Sequence, residues 1–317
     1  MRIRFGYVAM ALNIQDGSPN KTTTFTNLMK IPGSEDRIQR LRRLVRENID
    51  SQMRVLKYNR AHDIHVFRFT SNLIPLATHP EIDRWDYVGE FADDFAAIGD
   101  YVKLHNMRVS AHPDHFTLLN SPDSKTLNAS LAELEYHEKI FSAMGFGPEA
   151  KLVIHVGGVY KDKQMAVKRF QSTYEELPEA IKQRIIIEND DRSYTAAEVL
   201  RLCQHLQAPM VLDVHHHACL HNNEELVSLW PAISATWGSE IPKIHLSSPK
   251  DGKSSRAHAD YIDPDHLKNF LLLAKELDRD FDIMIEAKQK DIALRKLMKE
   301  LEQDRRFTIV DQSTIEW

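Results

Sequence analysis

The sequence predicts a single-domain α/β protein of the (β/α)₈ TIM-barrel class, with its functional site at the carboxyl ends of the strands. Eight short apolar segments alternate with eight longer segments of helical periodicity along the 317 residues, and no Gly/Ser-rich linker divides the chain. A doubly wound open sheet is the alternative, but no Gly-x-Gly-x-x-Gly motif follows the first apolar segment. We expect the barrel to occupy residues 1–303 and a C-terminal extension to occupy 304–317.

Each predicted strand is a run of five or six residues with a core of Val, Ile, Leu, Met or Phe. Such short apolar runs are typical of parallel strands that are buried on both faces. In order along the chain they occupy 3–8, 65–70, 107–112, 151–156, 184–188, 209–214, 242–246 and 281–286.

The segments between these runs carry apolar residues three or four positions apart, which indicates amphipathic helices. The predicted helices occupy 37–61, 87–105, 127–144, 164–181, 195–206, 223–235, 264–277 and 291–301. Two stretches rich in turn-forming residues, 15–33 and 70–86, are expected to be long loops after the first and second strands.

Composition restricts the class of protein. The formal net charge of -5 gives no general sign of nucleic-acid binding, although bound divalent cations would offset it locally. Cys203 and Cys219 form no Cys-x-x-Cys motif, which argues against a thiolate zinc site and favours a reducing compartment. No apolar run approaches the roughly 20 residues that a membrane span needs. We therefore expect a cytoplasmic protein with no membrane association.

Residue types that bind metals end six successive predicted strands. They are His112, His155, Glu188, Asp213, His245 and Glu286. This set is too large for a single tetrahedral ion, and the loop histidines His79 and His216, with His258, would bring it to eight or nine. The sequence therefore predicts two or three metal ions at the mouth of the barrel.

The ligand types restrict the chemistry without deciding the substrate. The stretch Met-Val-Leu-Asp-Val-His-His-His at 210–217 shows the pattern, because a buried strand leads into Asp213 and then into three histidines. Mixed carboxylate and imidazole ligands suit Zn, Mn, Fe or Co. Multi-metal sites of this kind cleave phosphate esters. Sugar isomerases of the same fold use a similar ligand set.

Lys243 precedes His245 by two residues, so strand periodicity places both side chains on the inward face. Burial beside cations favours the neutral amine over the ammonium ion. A neutral Lys243 could act as a base, or take up carbon dioxide to become an anionic carbamate. The alternative is a lysine that reaches over the rim of the barrel to a phosphate or carboxylate.

Nine motifs resemble those of the bacterial UV damage endonucleases, a family of metal-dependent (β/α)₈ nucleases. They are Phe5-Gly6-Tyr7, Leu73-Ile74-Pro75-Leu76-Ala77-Thr78-His79-Pro80, Ser110-Ala111-His112-Pro113, His155-Val156-Gly157-Gly158, Ile187-Glu188-Asn189-Asp190-Asp191, Asp213-Val214-His215-His216-His217, Pro242-Lys243-Ile244-His245-Leu246-Ser247-Ser248, Ala257-His258-Ala259-Asp260 and Ile285-Glu286-Ala287-Lys288. The resemblance covers nearly the whole chain, and several of these motifs are long and unusual.

The resemblance implies a DNA repair enzyme that nicks damaged double-stranded DNA immediately 5′ of pyrimidine dimers and (6-4) photoproducts, which starts excision repair. It implies two or three divalent ions, with manganese favoured and zinc, cobalt or magnesium as alternatives. The implied metal ligands are His79, His112, His155, Glu188, Asp213, His216, His245 and Glu286. No obligate protein partner is evident.

The resemblance also assigns roles around the metals. Lys243 matches the lysine that the family uses in carboxylated form, and His258 matches an active-site histidine near the scissile phosphate. Tyr7 matches an aromatic residue near the site. With Asp213 and His216 as ligands, we expect His217 to contact and orient one of them without binding a metal itself.

Two positions depart from the family pattern. Where the family has a Gln-Tyr or Gln-Phe pair that probes the distorted duplex, this chain has His115 and Phe116. Met10 stands where an asparagine is expected. Phe116 can still insert between bases, whereas His115 lacks the paired donor and acceptor of an amide. Lesion preference is therefore the part of the resemblance that these residues put in doubt.

Contact with DNA would rest on basic residues that follow the strand ends. These candidates are Lys161, Lys163, Lys168, Arg169, Lys250, Lys253, Arg256, Lys288 and Lys290. Three alternative functions stay open: an abasic-site endonuclease of the related zinc-dependent barrel family, a metal-dependent sugar isomerase, and a damage-binding protein that has lost catalysis.

Overall fold

Eight parallel strands form a closed barrel in the computed structural model, which describes residues 1–82, 85–250 and 256–317. The barrel closes because β1 pairs in parallel with both β2 and β8. The strands are β1 (Arg2–Val8), β2 (Val66–Phe69), β3 (Arg108–Ala111), β4 (Lys151–His155), β5 (Ile185–Glu188), β6 (Met210–Asp213), β7 (Lys243–Leu246) and β8 (Phe281–Ile285). The predicted fold class is confirmed, and every strand end lies within one residue of its predicted position.

Helices follow each strand and cover the outside of the barrel. They are α1 (Phe25–Met29), α2 (Ser34–Ala61), α3 (Tyr87–Glu90), α4 (Ala92–Leu104), α5 (Ser124–Ala143), α6 (Lys163–Glu176), α7 (Glu179–Lys182), α8 (Ala196–Leu206), α9 (Val214–Cys219), α10 (Leu226–Ala235), α11 (Pro264–Ala274) and α12 (Lys290–Leu301). Within the described ranges, none of the helices combines the length and the apolar character that crossing a membrane requires.

Two predicted helices are each divided in two. The segment 164–181 breaks between α6 and α7, where Leu177 is extended (φ −63°, ψ 146°) because Pro178 follows it. The segment 87–105 breaks at Phe91 between α3 and α4. Two short helices were not predicted: α1 forms within the expected loop 15–33, and α9 follows β6 directly.

The histidines after β6 lie on a short helix, α9, so the prediction that His216 is a loop residue is wrong. Asp213 causes the change of structure, because its side chain accepts a hydrogen bond from the His216 amide at 2.7 Å and caps the helix. The cap turns the chain immediately after the strand and brings His216 back over the end of β6.

Alternation along the strands sets which side chains enter the barrel. Inside it, Val153, Ile186 and Val211 pack together on β4, β5 and β6. The next inward position on each of these strands is two residues later, at its carboxyl end. His155, Glu188 and Asp213 occupy those positions. The strand-end ligands therefore form the layer directly above this apolar layer.

The C-terminal extension 304–317 forms a hairpin of β9 (Thr308–Asp311) and β10 (Thr314–Glu316). Strand β10 pairs antiparallel with the first residues of β1, where β2 does not reach, because β2 pairs with β1 only from Gly6 onward. The buried Ile315 side chain joins the main hydrophobic core. The extension thus covers the amino-terminal end of the barrel, opposite the strand-end ligands.

Candidate metal centre

The strand-end side chains converge on one cluster. Three groups of potential ligands share Glu188, and within each group the ligand atoms lie within 4.8 Å of one another. The groups are His112, His155 and Glu188; Glu188, Asp213 and His216; and Glu188, His245 and Glu286. The structure therefore brings together every predicted ligand except His79.

Glu188 lies at the centre of the cluster, and its side chain is 1% exposed. Its Oε1 atom is 2.8 Å from His245 Nδ1, and its Oε2 atom is 3.2 Å from His112 Nε2 and 3.5 Å from His155 Nε2. Burial alone would raise the pKa of Glu188, but His245 and His155 outweigh it and hold the pKa well below its usual range. The carboxylate is therefore anionic at neutral pH.

Asp213 and His216 are two further potential metal ligands beside Glu188. Asn189 holds this pair in place, because its side chain exchanges two hydrogen bonds with the Asp213 backbone at 2.9 and 3.0 Å. The Asn189 carbonyl lies 3.0 Å from His216 Nδ1, so Nδ1 donates and Nε2 is the free ligand atom. Asn189 was not predicted as a site residue, although it lies within the motif at 187–191.

The residues fit divalent metal ions. Three buried atoms of the cluster have no hydrogen-bond partner among the described residues: His155 Nδ1, Asp213 Oδ2 and His245 Nε2. Leaving a carboxylate oxygen buried and unpaired is costly, and coordination of a metal would satisfy Asp213 Oδ2. In the two histidines the nitrogens that face Glu188 are His155 Nε2 and His245 Nδ1. His112 Nδ1 lies 3.0 Å from the Pro113 carbonyl, which leaves Nε2 directed toward the cluster. Mixed nitrogen and oxygen donors on one buried carboxylate suit a multi-metal centre.

Binding of Mn²⁺ is expected to release at least one proton near pH 7. Burial lowers the pKa of His216, but Asp213 and Glu188 outweigh burial and raise it to about 9, so the metal-free imidazole is protonated. A ligand imidazole must be neutral, and the release should therefore fall as the pH rises through 9. Calorimetric titration of the metal-free protein, in buffers with different ionisation enthalpies, measures the protons released.

The matched pair of variants for this titration is His216→Gln and His62→Gln. His62 lies beside Gln312 at the opposite end of the barrel, and its replacement should leave the proton release unchanged. An equal release at pH 7 and pH 10 in the unaltered protein would contradict the assignment to His216.

His258 and Arg68 lie against the ligand Glu286. His258 Nδ1 is 2.9 Å from the Glu286 carbonyl and therefore donates to it. Arg68 Nη1 donates to the Glu286 carboxylate. Burial alone would raise the pKa of Glu286, but Arg68 and His245 outweigh it and hold the pKa below its ordinary value. His258 was predicted at the site, whereas Arg68 was not.

His79 lies apart from the ligand groups. Its ring stacks on Phe25, with the centroids 3.9 Å apart, and its Nδ1 atom accepts a hydrogen bond from the Glu81 amide at 3.3 Å. Phe25 belongs to the unpredicted helix α1, so the sequence offered no sign of this contact. In this structure His79 is not a member of the cluster.

Tyr7 and His217 also differ from their predicted places. Tyr7 points outward from β1, where it packs against Phe67 and donates a hydrogen bond to Asn59 of α2. It is therefore a buried core residue. The His217 ring lies 5.7 Å from that of His221, and its Nδ1 atom has no hydrogen-bond partner among the described residues. His217 thus faces the loop after α9 and does not orient a ligand.

The two positions that depart from the family pattern lie beyond the ends of the first and third strands. His115 and Phe116 form a contacting aromatic pair with ring centroids 3.9 Å apart, and Phe116 is 65% exposed. The Phe116 ring therefore lies in solvent a few residues after His112, where it can contact a binding partner. Met10 is partly exposed in the loop that follows β1.

Lys243 is buried inside the barrel, on the same strand as His245. Its Nζ atom donates a hydrogen bond to Ser110 Oγ at 2.9 Å, so it does not reach over the rim. Burial, and next the nearby Arg108, hold the pKa of Lys243 well below its ordinary value. The direction of this shift favours the neutral amine, and the repelling charges are those of arginines instead of metal ions.

Lys243→Met is expected to preserve or raise the melting temperature of the metal-free protein at neutral pH. The unfolded lysine binds a proton up to a pH of about 10.4, whereas the folded one has lost it at much lower pH. Between these two pKa values the unfolded state binds more protons, so wild-type stability rises with pH. The advantage of the variant should therefore shrink as the pH approaches 10.

Thermal unfolding in the presence of a chelator, from pH 6 to pH 10, tests this expectation. Lys151→Met is the control, since it breaks an ion pair with Glu240 (2.8 Å) and should destabilise the protein throughout this range. A stability difference for Lys243→Met that grows with pH would show that the lysine is charged in the folded protein.

Comparison with known proteins identifies relatives over the whole chain. The family model described as UV-endonuclease UvdE matches residues 3–317. The UV DNA damage endonuclease of Bacillus cereus (strain Q1) is 43% identical over 319 residues, which covers 100% of both chains. The crystal structure of SacUVDE is 30% identical, with a TM-score of 0.84 over 95% of this chain and 99% of that one. Endonuclease IV from Thermus thermophilus is 15% identical, with a TM-score of 0.57 over 95% and 99% of the two chains, and shares the fold.

Proposed function

Since this chain belongs to the UV-endonuclease UvdE family, we propose that it is a metal-dependent endonuclease that nicks double-stranded DNA 5′ of UV photoproducts. Cyclobutane pyrimidine dimers and (6-4) photoproducts are the proposed lesions. The observation that carries the proposal is the buried Glu188 carboxylate with its surrounding imidazoles at the open end of the barrel. A similar site without family membership would leave phosphodiester and sugar substrates equally open.

The proposed ligands are the seven clustered residues: His112, His155, Glu188, Asp213, His216, His245 and Glu286. When bound there, two or three divalent ions, with Mn²⁺ as the proposed species, would supply Lewis-acid charge to the scissile phosphate and lower the pKa of a water molecule. Glu188 contributes the central negative charge of the site. Asn189 keeps Asp213 and His216 oriented through its hydrogen bonds to the backbone and ring.

His258 is proposed to handle a proton near the scissile phosphate. Its Nδ1 atom donates to the Glu286 carbonyl, so Nε2 is the nitrogen that can accept or donate a proton. The side chain keeps 26% of its surface exposed, which leaves it accessible from the mouth of the barrel.

Lys243 is proposed to take up carbon dioxide, because a neutral buried amine is the reactive form. A ¹³C carbamate signal from the protein in labelled bicarbonate would detect this modification.

The proposed contacts with DNA lie around the mouth of the barrel. Of the basic candidates, Lys163 is already paired with Glu198 (2.6 Å), and Arg169 donates to the Asn120 carbonyl (2.9 Å), so these two have structural partners. Lys161, Lys168, Lys250 and Lys288 are exposed and better suited to phosphates. Lys253 lies outside the described residues. Phe116 is proposed to stack in the distorted duplex, with His115 packed against it.

Nicking of UV-irradiated supercoiled plasmid by the Mn²⁺-loaded protein, with little nicking of untreated plasmid, is the expected result. A labelled duplex that carries one thymine dimer then maps the nick, which should lie on its 5′ side. A duplex with an abasic site and a panel of aldoses test the two alternative enzyme functions. Equal cleavage of irradiated and untreated plasmid would overturn the proposal, and binding to irradiated DNA without cleavage under any metal would indicate a binding protein.

A further inference from the structure

Among the described residues, the clustered ligands leave one sector of the barrel mouth unoccupied. The clustered ligands come from the ends of β3 to β8 and from α9, whereas β1 and β2 contribute none. On β2 the inward position at the same level is Arg68, two residues after Val66. Val66 packs inside the barrel with Val8 and Met284, which establishes the inward direction of this face.

Arg68 is a nearly buried cation with most of its hydrogen-bonding capacity unused. Its side chain is 14% exposed, and its Nη1 atom donates to Glu286 Oε1. Among the described residues no other acceptor binds its guanidinium group, which carries five N–H donors. None of its nitrogens is both buried and unpaired, so the remaining donors face the open mouth.

Lys290 adds a second positive charge in the same sector. Its Nζ atom lies 3.4 Å from the Val8 carbonyl, at the end of β1. The adjacent carboxylate of Asp291 accepts hydrogen bonds from the Leu12 amide, Asn13 and Tyr58, and it also acts electrostatically on Lys290. Among the described residues Arg68 forms an ion pair only with Glu286, which is also a proposed metal ligand, and Lys290 forms none.

We propose that Arg68 and Lys290 form an anion subsite that binds a phosphate group beside the metal centre. A guanidinium group can bind phosphate through two parallel N–H···O bonds, while an ammonium group acts as a point charge. Glu286 keeps Arg68 extended toward the cluster and leaves its other donors for the ligand. As a contact to a phosphate of the DNA backbone, the subsite rests on the proposed function; as a phosphate site, it does not.

Binding of inorganic phosphate to the Mn²⁺-loaded protein tests the subsite without DNA. Arg68→Gln is expected to raise the phosphate dissociation constant about ten-fold, which corresponds to the loss of one charge-assisted hydrogen bond. Arg68→Lys should give a smaller increase, because it keeps the charge and loses the paired donors. The control is Arg60→Gln, since Arg60 lies in the last turn of α2 at the other end of the barrel. Lys290→Gln, at the rim, tests the subsite if Arg68→Gln does not fold.

Metal content and salt dependence separate the proposed role from a structural one. Bound manganese should be unchanged in Arg68→Gln, and the slope of log Kobs against log [salt] for irradiated duplex should fall in magnitude by about one. Loss of manganese in Arg68→Gln would instead make Arg68 a positioning residue for Glu286 and overturn the proposal. Unchanged phosphate affinity in both Arg68→Gln and Lys290→Gln would overturn it as well. If phosphate binds as expected but irradiated DNA is not nicked, the proposed function fails and the anion subsite stands.

Discussion

Glu188→Ala is expected to remove most of the bound manganese and to reduce nicking of irradiated DNA by about 10³-fold or more. Glu188 is the one residue common to all three ligand groups, so its loss affects every proposed metal position. Lewis-acid stabilisation is worth several kcal/mol, and each 1.4 kcal/mol is about ten-fold in rate. Metal analysis of the purified variant and the rate of plasmid nicking measure the two effects.

Glu240→Ala is the matched control for this substitution. Glu240 forms an ion pair with Lys151 at the amino-terminal end of the barrel, away from the ligands. This variant should lose some stability but keep its manganese and its nicking activity. If Glu188→Ala retained full metal content and activity, the cluster around Glu188 would not be the catalytic centre.

Phe116→Ala is expected to weaken binding to irradiated duplex by about ten- to hundred-fold while it leaves binding to undamaged duplex nearly unchanged. The ring is exposed and contacts His115, and stacking of an aromatic side chain on a base contributes about 1–3 kcal/mol. Undamaged duplex offers no unstacked base at this point. Titration of labelled duplexes, with and without a thymine dimer, measures the ratio of the two affinities.

Leu104→Ala controls for the loss of an exposed apolar side chain. Leu104 is 74% exposed and ends α4, on the opposite end of the barrel from Phe116. Phe116→Tyr should retain most of the preference for damaged duplex, because the ring remains. An equal loss of affinity for both duplexes in Phe116→Ala would assign the side chain to general DNA contact instead of lesion recognition.

Much of the candidate site could be predicted from local sequence pattern. Parallel strands buried on both faces leave a continuous apolar signal, which is why every strand end was placed within one residue. Each strand then ends at the same edge of the sheet, so His155, Glu188 and Asp213 had to be neighbours once the barrel formed. The family resemblance drawn from the motifs is confirmed over residues 3–317.

The errors occurred where local pattern does not determine which partner a side chain meets. Tyr7 lies in the Phe5-Gly6-Tyr7 motif and was predicted near the site, but it faces outward from β1 and donates a hydrogen bond to Asn59 of α2. His79 contacts Phe25, which belongs to a helix too short to be recognised from periodicity. For His216 the helix cap by Asp213, visible only in the folded chain, decides the position of the ring.

The sequence by itself determined the barrel, the level at which functional residues lie and the ligand types, because strand periodicity and burial are local properties of the chain. Only the tertiary structure decided which of those residues meet. Glu188 reaches its histidine neighbours from three other strands, and Arg68 reaches Glu286 across 218 positions of sequence. Such contacts depend on how distant segments pack together, and the pattern of a single strand or helix does not contain that information.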